Sequence, residues 1–300
     1  MKRRTFLGLD LASHSFRAVA LRRHGRDTEL VGARLSSPTP EVVRFSAREP
    51  NLVDRFRFVS QVREILTPLA EREERIVLSL PDCTGKTLLT EVETVFKTHQ
   101  EGEEILKWQL KNSLPGDPVS THIDFQFVGQ TDAGKQRVLV AAIRSDILSE
   151  YEDAMEEAGF GAVLIDFHAM HLYNYYRPRF NLDEAFVLVS VDGEAFSLHY
   201  NVQGQPVYFR AKPVTLEIEN VFQELSRTLV SVGKTYPQMR KASVFVHSDW
   251  EQGSDLRQAL EGCFEKEIQV LDLKKHAAIS MDHAQPQVMA AAIGAAERLM

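Results

Sequence analysis

The stretch TFLGLDLASHSFRAVAL, residues 5–21, decides how this chain is read. Leu7, Leu9 and Leu11 alternate with Gly8 and Asp10, and the run breaks at Ala12-Ser13-His14-Ser15. A second alternating run follows, with Phe16, Val19 and Leu21 prominent. Gly25 marks a turn, and Glu29 to Leu35 gives a third run. Period-two runs separated by short turns predict an antiparallel meander. Asp10 stands at the end of the first predicted strand, ahead of a tight turn of small residues.

Bulk properties narrow the possibilities. Three hundred residues suffice for two or three units with real cores. A formal charge of −7 and a pI near 5.8 argue against a nucleic-acid surface, which needs a basic patch. Cys83 and Cys263 are far apart and neither belongs to a CxxC, so both are read as buried thiols in a reducing compartment. The opening MKRRTFLGLDLA imitates a signal start, but Asp10 and the polar turn interrupt its apolar run. No run approaches the roughly 18 apolar residues of a membrane span, so the chain is expected to be cytosolic, or attached to a membrane only through something else.

Further along, Asn51 reads as the N-cap of an amphipathic helix carrying Leu52, Phe56, Val59, Val62, Leu66 and Leu69, frayed near Pro68. From residue 76, the pattern strand, strand, helix, strand, strand, helix predicts a small α+β module ending at Gly159. Its first helix spans 101–114, and Ser145 is the expected N-cap of the last. Ala162 to Phe167 reads as a strand rejoining the first sheet. Residues 185–191, 195–202 and 207–211 predict a second meander, with turns at Asp192-Gly193 and Gln203-Gly204. Thr215 reads as the cap of a helix with an apolar stripe from Ile218 to Tyr236. Strands near 244–246 and 268–271 flank a helix over 254–265, and Pro286 opens a final helix.

Several segments, in this order and spacing, resemble the PilM family, the actin-like cytoplasmic proteins of type IV pilus assembly. They are LGLDLASHSFRAVAL, VLSL before Pro81, EEILKWQLKNSLP (103–115), HIDFQFVG (122–129), VLVAAIRSDILSEYEDAMEEAGFGAVLIDF (138–167) and LSRTLVSVGKTYP (225–237). GspL cytoplasmic domains of type II secretion are more distant relatives. The resemblance implies an α/β, actin-like (ribonuclease H-like) two-lobed fold with an inserted small α+β subdomain. Its expected division is residues 1–75, 162–180 and 286–300 for the first lobe, 76–161 for the insert, and 181–285 for the second lobe. It also implies a scaffold peripheral to the inner membrane. The cytoplasmic N-terminus of a bitopic PilN-like partner would lie in a groove between the insert and the first lobe. Other pilus or secretion proteins are further possible partners, and a homodimer is left open.

The nucleotide site of that family is not matched. In the first phosphate turn Asp10 and Ser13 remain, but Ala12 replaces a glycine, and its β-carbon disfavours positive φ. In the second, one register puts Ser190 in the acid's place and Asp192 in the glycine's. The other puts Asp192 in the acid's role, with Glu194 and Ala195 after it. The adenosine-side turn, His247-Ser248-Asp249-Trp250, has no glycine before Gly253. Between Ala211 and Ser243 one helix replaces the Gly-Gly loop and clamping subdomain of relatives, so the second lobe is reduced. The expectation is no catalysis, cofactor or metal, with Asp10, Ser13, Ser190 and Asp192 as degenerate positions. The alternative is a divergent ATP-binding or ATP-hydrolysing protein using Asp10, Ser13 and Asp192. A GspL-like cytoplasmic domain is a third reading.

Other motifs carry less. Gly85-Lys86-Thr87 mimics the end of a P-loop, but Leu80 stands where the first glycine belongs. His168 and His171 share a helix face without a third metal ligand in sequence. Asp166 reads as a strand terminus. Trp108 reads first as a core residue of the insert and second as a partner anchor. Tyr173, Tyr175 and Tyr176 read as helix–sheet packing.

Overall fold

Leu7, Leu9 and Leu11 are fully buried on one face of strand β1 (Thr5–Leu11), and Phe6, Gly8 and Asp10 are buried on the other. A strand covered on both sides is the centre of a layered α/β unit. The computed structural model describes residues 4–25, 27–180, 184–250, 253–271 and 286–300. β1 pairs antiparallel with β2 (Phe16–His24), which pairs with β3 (Asp27–Ser36). On its other side β1 runs parallel to β4 (Arg75–Leu80), and β4 runs parallel to β8 (Gly161–Phe167). The first sheet therefore has the order β3-β2-β1-β4-β8.

Helix α1 (Arg55–Ala70) covers the leucine face of β1 with Phe58, Val59, Val62, Ile65 and Leu66. Its N-cap is Asp54, whose side chain accepts from the Arg57 N–H, and not Asn51 as the sequence suggested. Asn51 is instead buried, and its side-chain oxygen accepts from the Tyr151 hydroxyl. The helix runs through Pro68 to Ala70, and Phe56 is exposed.

Between β4 and β8 the chain forms β5 (Lys86–Val92), α2 (His99–Gln109), β6 (Thr121–Gln130), β7 (Gln136–Arg144) and α3 (Ser145–Ala158). The three strands make a separate sheet in the order β5-β7-β6. Its core joins Val92, Leu106, Ile123, Val138 and Val140. Two readings of this region change. β4, grouped from sequence with the insert, is a central strand of the first sheet, because Ile76 to Leu80 are buried on both faces. The stripe of α3 (Ile147, Tyr151, Met155) packs into the core formed with α1. α3 begins at Ser145, after an Arg144 N-cap without a side-chain bond, and ends on Gly159 in the left-handed region at φ 90°. Trp108 is 73% exposed, so its reading as a core residue fails. Cys83 is exposed and Cys263 half-buried, so neither is the buried thiol expected.

The second lobe repeats the first in a different sequence. β9 (Phe186–Asp192), β10 (Ala195–Val202) and β11 (Gln205–Pro213) form a meander. β9 runs parallel to β12 (Ser243–Ser248), which runs parallel to β13 (Gln269–Val270), giving the order β11-β10-β9-β12-β13. Helices α5 (Ile218–Gly233) and α6 (Gly253–Phe264) cover one face through Val221, Leu225, Leu256 and Leu260. The cap of α5 is Glu217, without a side-chain bond, and not Thr215. Among the described residues, only α5 and a short 3-10 helix (Pro237–Lys241) lie between β11 and β12. Residues 272–285, assigned to the second lobe from sequence, lie outside the described residues.

Helices α4 (His168–Tyr176) and α7 (Ala290–Glu297) fill the space between the two sheets. Small residues permit their close fit. A β-carbon on Gly8 would lie 2.2 Å from the Ala292 carbonyl oxygen, and one on Gly294 would lie 2.1 Å from that of His171. One buried cluster joins Phe6 and Val19 of the first sheet, Tyr175 and Ile293 of these helices, and Phe186 and Leu188 of the second. Tyr175 and Tyr176 pack there, as read from sequence. The ends of β1 and β9 thus face each other across one cleft.

Candidate functional site: a charge-filled cleft and an acidic groove

Asp10 is the penultimate residue of β1, and Asp192 is the last of β9; both are buried. Arg17, the cross-strand partner of Asp10 on β2, lies between them. Its Nη1 is 2.8 Å from Asp192 and 3.6 Å from Asp10, and its Nη2 is 2.9 Å from Asp249. Its Nε donates to Ser15 Oγ at 2.9 Å. His168, at the start of α4, places Nδ1 2.9 Å from Asp10 and Nε2 3.4 Å from Asp192. Ser79 Oγ donates to Asp10 at 2.6 Å, and His247 Nε2 lies 3.3 Å from Asp192. The His247 Nδ1 is 2.9 Å from the Tyr176 hydroxyl.

These groups set one another's charge. Burial works to neutralise Asp10, but His168 and Arg17 outweigh it and hold the carboxyl below its ordinary range. Burial likewise opposes ionised Asp192, and Arg17 and His168 hold it well below that range. Burial also disfavours the His168 cation, yet Asp10 and Asp192 raise its pKa well above the ordinary value. Burial lowers His247 against the pull of Asp192. Burial and the Asp192 charge push Asp249 up to about 7, with Arg17 opposing. Two carboxylates therefore balance two cations, with Asp249 near its titration point at neutral pH.

The turn amides are also engaged. Ala12 N–H donates to the Ser15 carbonyl at 2.9 Å, and Gly193 N–H to Asp249 at 2.9 Å. Trp250 Nε1 donates to the Gly193 carbonyl at 2.9 Å. The two turns approach closely: a β-carbon on Gly193 would lie 3.7 Å from the Ser13 side chain. His14 pairs with Glu194 at 3.3 Å across the same gap. These residues do not fit a magnesium–nucleotide. The place for its cation between Asp10 and Asp192 holds a guanidinium, and two of the turn amides, those of Ala12 and Gly193, already have acceptors.

Of the positions singled out from sequence, Asp10 and Asp192 converge and Ser13 lines the outer mouth. Ser190 shares a strand face with Asp192, but its hydroxyl is engaged by its cross-strand partner, with its Oγ 2.5 Å from that of Ser197 on β10. The convergence favours the register that gives Asp192 the acid's role. The sequence reading missed Arg17. Its signal was parity, since Arg17 shares a strand face with Val19 and Leu21, which point between the sheets.

A cavity of about 480 Å³ lies outside the two turns, walled by Pro38, Pro40, Pro81 and Pro213 together with Arg44 and Lys212. Prolines have no N–H to offer a phosphate. A second hollow, of about 190 Å³, lies between β8 and the insert. Here β8 is an edge strand of the first sheet and β6 an edge of the small sheet. Val163, 52% exposed, lines the hollow with Ile165, His122, Asp124, Glu152 and Asp166. Burial pushes Asp166 up to about 6, although its carboxylate accepts from the Phe167 N–H.

No protein-family model matches this sequence, and no curated protein matches it. Solved structures do. A PilM–PilN type IV pilus biogenesis complex is similar over 99% of both chains, with TM-score 0.74 and 17% identity. A Bacteroides thetaiotaomicron protein with an actin-like ATPase fold and unknown function matches at TM-score 0.57 and 9% identity, over 90% of this chain and 91% of that one. The chain has an actin-like fold. The cytoplasmic domain of EpsL, an inner-membrane component of the Vibrio cholerae type II secretion system, matches at TM-score 0.53 and 12% identity, over 93% and 97%. Among the described residues, no helix is long and apolar enough to cross a membrane.

Proposed function

We propose that this chain is a PilM-like, non-catalytic scaffold of a type IV pilus or type II secretion inner-membrane complex. It is held in the cytoplasm, peripheral to the membrane, by a PilN-like bitopic partner. The partner's cytoplasmic N-terminal segment lies in the groove between β8 and the insert. The observation that carries this reading is the contrast at Arg17: the ligand cleft of the fold holds its own cation, while the groove keeps an open strand edge. An extended segment could add to that edge through main-chain hydrogen bonds and place alternate side chains against Val163 and Ile165. The similarity to a PilM–PilN complex over the whole chain supports the same partner class.

Two measurements test this. Calorimetry with ATP and magnesium should give no saturable binding, and micromolar binding abolished by Asp10→Ala would overturn the non-nucleotide half. Co-purification with a candidate bitopic partner should succeed with its first residues present and fail without them. Equal recovery of both forms would exclude the groove reading.

A further inference from the structure

The misfit between the cleft and a metal–nucleotide has a positive content. We propose that Arg17 is a tethered counter-ion that braces the two lobes in their closed arrangement, without a ligand. Arg17 and Asp10 belong to the first lobe, and Asp192 and Asp249 to the second. One guanidinium meets all three carboxylates, with Nη1 directed to Asp192 and Asp10 and Nη2 to Asp249. Its fork geometry suits this, because a planar cation with five fixed donors can serve several carboxylates at once. The side chain is 4% exposed, so the contacts act in a dry space where charge interactions are little screened.

Removing the guanidinium leaves the Asp10 and Asp192 carboxylates with His168 as the one cation that meets both, since Ser79 on Asp10 is neutral and burial disfavours the cation of His247 beside Asp192. Like charges across a buried gap repel, and separating the lobes is the available relief. Apolar packing of α4 and α7 still joins the sheets at the base, so the motion is a hinge opening. The His14–Glu194 pair at the mouth, and the close approach of the two turns at Ser13 and Gly193, then part as well.

The test is small-angle scattering and thermal melting of the full chain and its Arg17→Ala variant, with and without millimolar methylguanidinium. The brace predicts a wider envelope for R17A and a Tm lower by on the order of 10 °C. Methylguanidinium should restore both in R17A, and sodium chloride at equal ionic strength should restore neither. An unchanged envelope, or equal recovery with either salt, overturns the proposal. If R17A does not fold, Arg17→Lys carries the test. A single ammonium cannot reach both lobes' carboxylates in the same way, so R17K should be wider than the parent. An R17K envelope superimposable on the parent would show that charge alone suffices and would sink the brace. No nucleotide or partner enters this experiment, so its failure is distinct from failure of the scaffold reading.

Discussion

The interlobe cleft and the groove beside β8 both collect carboxylates, and they treat them differently. In the cleft, Asp10 and Asp192 are held ionised by Arg17 and His168, and the Ala12 and Gly193 amides have internal acceptors. In the groove, burial pushes Asp166 up to about 6 against the pull of the Phe167 N–H and Arg298, and among the described residues no strand lies beside the outer edge of β8. A site that has satisfied its own polar groups gains little from a ligand, whereas one with an open edge and under-compensated charge gains from a partner. Under the proposed scaffold reading, the first region supplies rigidity and the second recognition.

The largest effect expected is on stability in the cleft. Arg17→Ala should cost about 3–5 kcal/mol, the usual penalty for stripping one partner from a buried ion cluster. Asp166→Asn in the groove, by contrast, should leave chemical denaturation nearly unchanged. If the two variants unfold alike, the contrast fails.

Next in size is binding at the groove. Val163→Arg should weaken association with the partner's cytoplasmic segment at least tenfold, about 1.4 kcal/mol, in a titration followed by fluorescence anisotropy. Arg17→Lys should weaken it much less, and the reverse order would place recognition at the cleft.

A smaller effect concerns pH. Asp249 titrates at about 7 in the folded chain against an ordinary value of 3.8. The native state therefore holds a proton that the unfolded state has released, and this group's contribution falls as pH rises from about 4 to 7 and is level above that. Asp249→Asn removes the dependence. The melting point of the variant relative to the parent should rise steadily between pH 5 and pH 7. A constant difference across that range would mean that Asp249 is ionised throughout. The smallest expected effect is that of ATP with magnesium on the parent, a Tm change below about 1 °C, because a ligand stabilises only what it binds.

Much of the architecture was legible from local pattern. The alternation of Leu7, Leu9 and Leu11 with Gly8 and Asp10 marks β1, and the second meander follows the same logic. Asp10 was recognisable because it lies near the end of an apolar strand ahead of a small-residue turn, and Asp192 because its stretch aligns with the second phosphate turn of the family the chain resembles. Capping was less legible: Asn51 and Thr215 are good cap residues by type, but tertiary contacts took Asn51 into a buried network with Tyr151. Trp108 misled because a large aromatic on a helical stripe suits a core, and only the packing of α2 shows which side faces solvent. β4 was misassigned because a short apolar strand does not say which sheet it joins.

By itself, the sequence determined the strands, the helices and their order, since period, turn chemistry and apolar stripes act over a few residues. It also excluded glycine-lined phosphate turns, because Ala12 and the run His247 to Trp250 supply no such backbone. The fate of the charged residues was decided by tertiary structure alone. Arg17 and Asp192 are 175 positions apart, and no local rule pairs them. They meet because two sheets of the same order close on α4 and α7, and burying a charge there is tolerable only when an opposite one arrives with it.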